Sequence, residues 1–446
     1  MDRRDFLKKA GLGAAALGLA ACAPKTEGSA IEDNSNTNLP EGEMPRHYPG
    51  VGLLGYGCMR WKMVKDADGK DVIDQEEVNR LVDYALEHGV TYFDSAPVYL
   101  QGQSEEATAK ALLRHPRDSY QIATKCSNMG RGPQGMEAGK KMYLQSLEFY
   151  RTDHIDYYLL HGLSDLQGFK DRFEDNGLLD YLLEERKKGH IRNLGFSFHG
   201  TTEGFDELMQ THDKYHWDFV QIQMNYVDWK HASGRNGNAE HLYNELDKRG
   251  IPVVIMEPLL GGRLANMPEA LASELKSREP ERSLASWAFR FCGTYPRVLT
   301  VLSGMTYMEH LQDNLRSFLG FKPLTEEEIA FLDEVGLKFT NYPLVNCTAC
   351  QYCMPCPYGI NIPGIFKFYN DNVNGGTYVS SKEQKDYRKA RNKYLLAYDK
   401  AIPTVRQADH CIGCNQCALR CPQHIRIPQE LSRIDKYIED LKQELL

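Results

Sequence analysis

Four side chains that can move a proton or hold a charge stand at the ends of three consecutive β-rich runs. Asp94 ends one run, with Tyr99 in the loop after it, and Lys125 and His161 end the next two. A phenol can give a proton to a carbonyl oxygen while hydride reaches the carbon, and a nearby ammonium lowers the phenol pKa by stabilising tyrosinate. We therefore expect Tyr99 to act as acid and base beside Lys125, which Asp94 holds in place. His161 would orient the substrate oxygen through a hydrogen bond.

Each of these residues also has an ordinary structural explanation when taken alone. Asp94 could cap a helix, and Tyr99 could be a packing residue with one hydrogen bond. Lys125 could be a solvated charge and His161 a buried core histidine. Their succession at three adjacent strand ends favours a catalytic group over coincidence.

The elements that would position these side chains alternate between β-rich and helical patterns from residue 46 to 322. Candidate strands are 52–60, 90–95, 119–126, 154–161, 191–197, 219–225, 251–257 and 298–304, each followed by an amphipathic stretch. Eight such units predict an α/β fold, a (β/α)8 TIM barrel whose chemistry lies at the carboxyl ends of its strands. A doubly wound open sheet is the competing architecture. It would bring a glycine-rich dinucleotide turn after the first strand, and Gly52, Gly55 and Gly57 are spaced differently.

The four residues and their settings resemble the aldo-keto reductase family, whose tetrad is Asp, Tyr, Lys and His. The resemblance covers roughly residues 47–320 and includes the segments Gly55-Tyr56-Gly57-Cys58-Met59 and Asp94-Ser95-Ala96-Pro97-Val98-Tyr99. It implies an oxidoreductase that interconverts a small carbonyl and an alcohol with an NAD(P) cofactor. Asp94, Tyr99, Lys125 and His161 would then be the catalytic residues.

The same resemblance implies the residues that would contact the dinucleotide. Ser197 and Gln221 would bind the nicotinamide carboxamide, and glycines would let backbone amides approach the pyrophosphate. Gly304 and His310 stand where NADP-preferring relatives often carry Lys and Arg, so a preference for NADP is not expected. The full implied set is Ser197, Gln221, Gly261, Gly262, Ser303, Gly304, Asp313 and Asn314.

Eight of the 12 cysteines follow residue 346 in two similar runs. The runs are Cys347, Cys350, Cys353 and Cys356, then Cys411, Cys414, Cys417 and Cys421. The second has the C-x2-C-x2-C-x3-C-P pattern of bacterial ferredoxins, in which the fourth cysteine ligates the other cluster. That resemblance assigns Cys347, Cys350, Cys353 and Cys421 to one [4Fe–4S] cluster and Cys411, Cys414, Cys417 and Cys356 to another.

Residues 323–446 are therefore predicted to form a mainly α-helical, ferredoxin-like domain with two [4Fe–4S] clusters. Zinc and disulfides are the alternatives. Zinc prefers two separated CxxC pairs around one ion, and disulfides suit an exported protein. The triple CxxCxxC spacing favours clusters over both.

The N-terminal residues predict a targeting signal rather than part of the folded domain. Residues 1–22 combine Arg3-Arg4 with a short apolar run and resemble a twin-arginine signal. Cys22 ends a segment that resembles a lipoprotein cleavage box. Residues 23–45 are polar and predict a flexible tether. We expect a protein exported to the periplasm or cell envelope, and associated with the membrane only through a lipid at Cys22.

Composition and motifs leave several kinds of function open. The net charge of -8 argues against nucleic acid as a partner. One hypothesis is an enzyme whose clusters exchange electrons with a redox partner protein. The alternative is an iron–sulfur electron-transfer protein that uses the barrel as a docking scaffold, and a third possibility makes the clusters purely structural.

Overall fold

The computed structural model describes residues 39–128, 130, 132–233 and 236–446. The predicted signal, Cys22 and most of the predicted tether lie outside the described residues. Leu39–Leu446 form one compact unit. Met44, near the end of the predicted tether, is buried, and it packs beside Gly52 and Gly89. The packed structure therefore begins inside the segment that composition alone assigns to a tether.

Eight parallel strands close into a barrel, with one antiparallel hairpin inserted after the first. The barrel strands are β1 (Leu54–Gly57), β4 (Tyr92–Asp94), β5 (Gln121–Cys126), β6 (Ile155–Leu163), β7 (Ile191–Phe198), β8 (Phe219–Gln223), β9 (Val253–Met256) and β10 (Val298–Ser303). The hairpin pairs β2 (Met63–Lys65) with β3 (Asp71–Ile73). The predicted TIM barrel is confirmed, and its parallel strands bring their carboxyl ends to one rim.

Helices surround the barrel and bury apolar side chains. In the helix Gln75–Glu87, for example, Val78, Leu81, Val82 and Ala85 lie on one face. The helices of this layer are α1 (Gln75–Glu87), α2 (Ser104–Leu112), α3 (Gly132–Tyr150), α4 (Leu166–Phe169), α5 (Leu178–Lys187), α6 (Thr202–Met209), α7 (His212–Tyr215), α8 (Asp228–His231), α9 (Ala239–Lys248), α10 (Glu269–Arg278), α11 (Leu284–Gly293) and α12 (Met308–Phe318).

One further helix, α13 (Glu326–Thr340), belongs to the barrel although the predicted boundary at 322 places it in the C-terminal domain. Thr325 and Glu328 form a capping box that starts this helix. Leu332, Val335 and Phe339 then bury one helical face in the barrel core. This apolar face at helical spacing explains why the barrel unit extends about one helix further than predicted.

The C-terminal domain is helical and has a core of its own, as the sequence predicts. Its helices are α14 (Ile362–Asn374), α15 (Tyr387–Ala401) and α16 (Ile427–Lys442). Both α14 and α16 start with an Ile-Pro pair after a cysteine run, so the internal duplication of the sequence is also visible in the structure. Tyr378 and Tyr437 stack at 4.7 Å in this core. None of the described helices is long and apolar enough to cross a membrane.

Candidate active site and cluster sites

The four predicted catalytic side chains converge at the carboxyl rim of the barrel. Lys125 Nζ donates to Asp94 Oδ1 at 2.6 Å and to the Ser95 carbonyl oxygen at 2.8 Å. The same ammonium lies 4.7 Å from the centroid of the Tyr99 ring. The Tyr99 and His161 rings approach edge to face with centroids 5.9 Å apart. Three strands and one loop thus bring the four predicted catalytic side chains together.

Local structure explains how Tyr99 reaches this position. Its backbone N–H donates to the Ala96 carbonyl oxygen at 3.0 Å. Leu100 and Gln101 follow with φ of 49° and 58°, in the left-handed region that non-glycine residues seldom adopt. Strained backbone of this kind persists where the surroundings hold it, often at functional sites. The turn fixes the phenol above the barrel mouth.

The ion pair beneath the phenol is fully enclosed. The side chains of Lys125 and Asp94 are 0% and 3% exposed. Burial raises the pKa of Asp94, and the charge of Lys125 opposes that shift. A buried pair is tolerated only when each charge compensates the other, so this pair fixes the position of the ammonium.

The pKa of Tyr99 is raised well above its ordinary value, first by burial and then by the charge of Asp94. The net direction is opposite to the lowering expected from Lys125, because burial and the charge of Asp94 both raise the pKa. Lys125 is neutralised by Asp94 and faces the ring of the phenol, where it makes a cation–π contact. The phenol is therefore held protonated, which suits an acid in carbonyl reduction.

His161 is held neutral by its surroundings. Burial lowers its pKa well below the ordinary value, and the charges of Lys125, His199 and Arg172 lower it further. Ser127 Oγ lies 2.6 Å from His161 Nδ1. A Ser127 hydroxyl that donates to Nδ1 leaves the imidazole proton on Nε2. The neutral ring can then donate a hydrogen bond to a substrate oxygen.

Tyr352 is a residue of this pocket that sequence reasoning missed. It lies between Cys350 and Cys353 of the C-terminal domain, yet its ring centroid is 6.5 Å from that of His161. Burial raises the pKa of Tyr352, and the proximity of Tyr99 raises it further. No local sequence pattern could have indicated this contact between distant parts of the chain.

Polar side chains attach the C-terminal domain to the rim of the barrel. Gln423 Nε2 donates to Gln223 Oε1 at 3.0 Å, at the end of β8. Arg263 donates to Asn346 Oδ1 at 2.8 Å. Arg60, in the loop after β1, donates to the Thr348 carbonyl oxygen at 2.7 Å. The domain therefore covers the face of the barrel that carries the catalytic residues.

Four of the predicted cluster ligands surround one small cavity. Cys347, Cys350, Cys353 and Cys421 line it together with apolar residues that include Ile362. Burial raises the pKa of Cys347 to about 11 and that of Cys350 to about 12. Metal binding must displace those protons, as it does at any thiolate site. Four thiols around an apolar cavity fit a [4Fe–4S] cluster, in which each thiolate ligates a different iron.

The other predicted set is more open. Cys414 is exposed, and the thiol groups of Cys411 and Cys414 act on the pKa of Cys417, which burial raises. Cys356 packs against the same hydrophobic core as Cys411 and Cys417. All cysteines of the described residues are free of disulfides. Among the described residues, no three His, Cys, Asp or Glu side chains are grouped to hold a single metal ion; in a [4Fe–4S] cluster the thiolates instead bind different irons.

The nicotinamide end of the predicted dinucleotide site is partly free. Gln221 Oε1 is buried without a hydrogen-bond partner among the described residues. Gln221 Nε2 lies 3.5 Å from Met256 Sδ. The Ser197 hydroxyl accepts from the Gly162 backbone at 2.8 Å and keeps its own proton to donate. These two polar side chains fit a carboxamide.

The rest of the predicted dinucleotide site does not fit a ligand in this way. A Cβ on Gly261 would overlap the Thr348 Cα, and one on Gly304 would lie 2.8 Å from Arg60 Cδ. Gly262 faces open space, with no described heavy atom within 4 Å of a Cβ built on it. At the adenosine end, buried Asn314 donates to Ser303 Oγ at 2.8 Å, and half-buried Asp313 accepts a weak bond from Ser317 through its carbonyl oxygen. Gly261 and Gly304, but not Gly262, therefore already face residues of the chain itself.

Residues 53–336 match the model of the aldo/keto reductase family, and residues 346–425 match the model of the 4Fe-4S dicluster domain. The barrel and its tetrad define an oxidoreductase of the aldo/keto reductase type. The chain belongs to the aldo/keto reductase family, and it carries a C-terminal iron–sulfur domain.

Individual relatives agree with this assignment. The uncharacterized oxidoreductase YqkF of Bacillus subtilis is 26% identical over 312 residues, which cover 63% of this chain and 92% of the relative. L-galactose dehydrogenase of Arabidopsis thaliana is 23% identical, over 59% of this chain and 83% of the relative.

Solved structures share the fold. The holo form of aldo-keto reductase AKR11C1 from Bacillus halodurans has a TM-score of 0.50 at 24% identity, over 64% of this chain and 92% of that one. A Klebsiella pneumoniae aldo-keto reductase in complex with NADPH has a TM-score of 0.50 at 21% identity, over 67% and 95%. Both matches cover about two thirds of this chain.

Proposed function

We propose that this oxidoreductase interconverts a small carbonyl and an alcohol at the barrel rim, with Tyr99 as acid and base. The observation that carries the proposal is the enclosed Lys125–Asp94 pair beneath the Tyr99 ring, with His161 beside it. A scaffold without turnover has no use for a buried ion pair aimed at a phenol. Removing two charges from water is costly unless something is gained from their position.

Each side chain has one task in carbonyl reduction. The neutral His161 ring donates a hydrogen bond to the substrate oxygen and orients it. The carbonyl carbon would receive a hydride from a nicotinamide, or two cluster electrons and a solvent proton, while Tyr99 gives its own proton to that oxygen as negative charge develops. Lys125, fixed by Asp94, stabilises the tyrosinate that remains. In alcohol oxidation the same phenolate takes the proton back.

We also propose two [4Fe–4S] clusters in the C-terminal domain. Cys347, Cys350, Cys353 and Cys421 would hold one, and Cys411, Cys414, Cys417 and Cys356 the other. Such clusters transfer single electrons, and two of them can together store the two electrons that separate an alcohol from a carbonyl. The exposed Cys414 supports exchange with a redox partner protein at the second set.

The dependence on NAD(P) stays a prediction. It is supported by the free Gln221 amide oxygen and by the NADPH complex of the Klebsiella pneumoniae relative. It is opposed by the contacts of Gly261 and Gly304 with the chain's own residues. A screen of carbonyls against both NAD(P)H and a reduced viologen, a one-electron donor, separates the two electron sources.

The test of the enzymatic proposal is the Tyr99→Phe variant of the anaerobically purified, iron-loaded protein. Loss of a general acid lowers turnover by about a hundredfold or more. Tyr307→Phe is the matched control, because Tyr307 is 48% exposed and lies outside the pocket. Carbonyl turnover that Tyr99→Phe leaves unchanged, with either electron donor, contradicts the proposal.

A second candidate function is an iron–sulfur electron-transfer protein that uses the barrel as a docking scaffold. It is favoured by the cover that the C-terminal domain makes over the barrel rim. This candidate gains if both sets of clusters are reducible while no carbonyl is turned over. It loses if turnover depends on Tyr99.

We further propose export and lipid attachment at Cys22, on the motif in residues 1–22 alone. Expression of the full chain with Cys22→Ser tests this. The wild-type protein is expected in the membrane fraction of the cell envelope, and the variant in the soluble fraction. Equal distribution of the two proteins contradicts the lipid anchor.

A further inference from the structure

We infer that the chain's own cysteine loop, residues 346–353, occupies the dinucleotide groove of the barrel, so that the folded protein does not bind NAD(P). This inference deepens the proposed function and rests on it for the source of electrons. The inference that NAD(P) does not bind can be tested without measuring turnover. Its basis is a pair of glycines: the resemblance places Gly261 along the pyrophosphate and Gly304 at the adenosine end of the dinucleotide.

Gly261 is in close contact with the cysteine loop. This residue has φ of 72° and follows β9 at the carboxyl rim, where glycines would let backbone amides approach an anion. Its open side is filled by Thr348, because a Cβ added there would overlap the Thr348 Cα and lie 2.5 Å from the Thr348 Cβ. The filling atoms are backbone as well as side chain, so a rotamer change alone cannot clear the space. A pyrophosphate needs the place that Thr348 holds.

Gly304 is in close contact with Arg60. Arg60 Cδ and Cγ stand 2.8 and 3.1 Å from a Cβ built on that glycine. The Arg60 guanidinium donates to the Thr348 carbonyl oxygen at 2.7 Å. Arg60 thus connects the two ends of the groove through the cysteine loop. It is held there by the loop rather than left for a phosphate.

The positive charges at this rim are already partly compensated. Burial raises the pKa of Glu257 and the charge of Arg60 lowers it, so Arg60 already stabilises that carboxylate. Arg263 donates to Asn346 within the same loop. A dinucleotide brings two phosphate charges, which need cations or free amides. Both arginines at this rim already have partners inside the protein.

The main test is an equilibrium titration of the iron-loaded protein with NADPH and with NADH, in which calorimetry measures binding. We expect no saturable binding up to about 1 mM. One-to-one binding tighter than about 100 μM overturns the inference, whatever the activity. If NAD(P)H does not bind and reduced viologen supports no carbonyl turnover, the proposed enzymatic function is contradicted, whereas the inference of an occupied groove is supported.

A matched pair of variants tests the contact itself. Gly261→Ala and Gly262→Ala both place Ala at positive φ, but only Gly261 faces Thr348. We expect hydrogen exchange in residues 346–353 to rise at least about tenfold in Gly261→Ala relative to Gly262→Ala, because the added methyl displaces the loop. Equal exchange in the two variants overturns the proposed contact. Should Gly261→Ala fail to fold, the titration of the wild-type protein still decides.

Discussion

Replacing Lys125 by Met removes the ammonium but keeps a chain of similar length. Asp94 is then left in a site where it is 2% exposed and where one carboxylate oxygen already has no partner among the described residues. Breaking a buried ion pair by removing one partner costs about 3–5 kcal/mol. We expect Lys125→Met to lose stability of that order at neutral pH and to lose carbonyl turnover altogether.

The loss of stability in Lys125→Met is expected to depend on pH, and the pKa of Asp94 determines the direction of that dependence. Burial already raises the pKa of Asp94 in the folded protein, and loss of Lys125 raises it further. An acid with a raised folded pKa binds its proton more tightly in the native state than in the unfolded state. Stability therefore falls as pH rises from the unfolded value of about 3.9 through the folded pKa. The destabilisation of Lys125→Met should be small at pH 4 and full once Asp94 ionises.

Denaturant unfolding followed by tryptophan fluorescence measures this loss. All four tryptophans lie between residues 61 and 287, so the signal reports the barrel. Lys110→Met is the control, because its pair with Glu106 is exposed and should contribute less than about 1 kcal/mol. Adding Asp94→Asn to Lys125→Met should restore part of the stability without activity. Equal destabilisation at both pH values, or no recovery in the double variant, would refute the reasoning.

Three further outcomes are expected. Tyr352→Ala should raise KM more than it lowers kcat, whereas Tyr352→Phe should keep KM, as steady-state kinetics can check; equal effects contradict a role in the pocket wall. Ser127→Ala should lower kcat about tenfold by freeing the His161 tautomer, and an unchanged kcat contradicts that role. Cys421→Ser should remove the same EPR signal as serine substitution of Cys347, Cys350 or Cys353, and loss of a different signal contradicts the ligand sets.

Local patterns were enough to predict most of the barrel. The strands that carry Asp94 and Lys125 were predicted within two residues of their observed bounds, because each is a short apolar run between turn residues. The strand carrying His161 is predicted equally closely, but β6 continues two residues past the predicted end, to Leu163, with a shift in register. Gly162 allows this shift by its φ of 62°, which no alternation of residue types reveals.

Contacts between distant segments were not predictable in the same way. Tyr352 in the pocket and Thr348 against Gly261 depend on how one domain is placed on another, and neither residue type signals it. The raised pKa of Tyr99 was missed for a related reason. The charge of Lys125 was readable from the sequence, but its orientation toward the ring and the burial of the phenol were not.

The position of Tyr352 between two cysteines has a consequence for the solvent around the phenol. Tyr352 belongs to the segment that would ligate iron and lies beside His161 and close to Tyr99, so the local dielectric around the phenol depends on whether that segment is folded. A protein that has lost its iron should admit water to the tyrosine and move its titration back toward that of a free phenol. Iron supply and proton chemistry are in this way joined through one aromatic side chain.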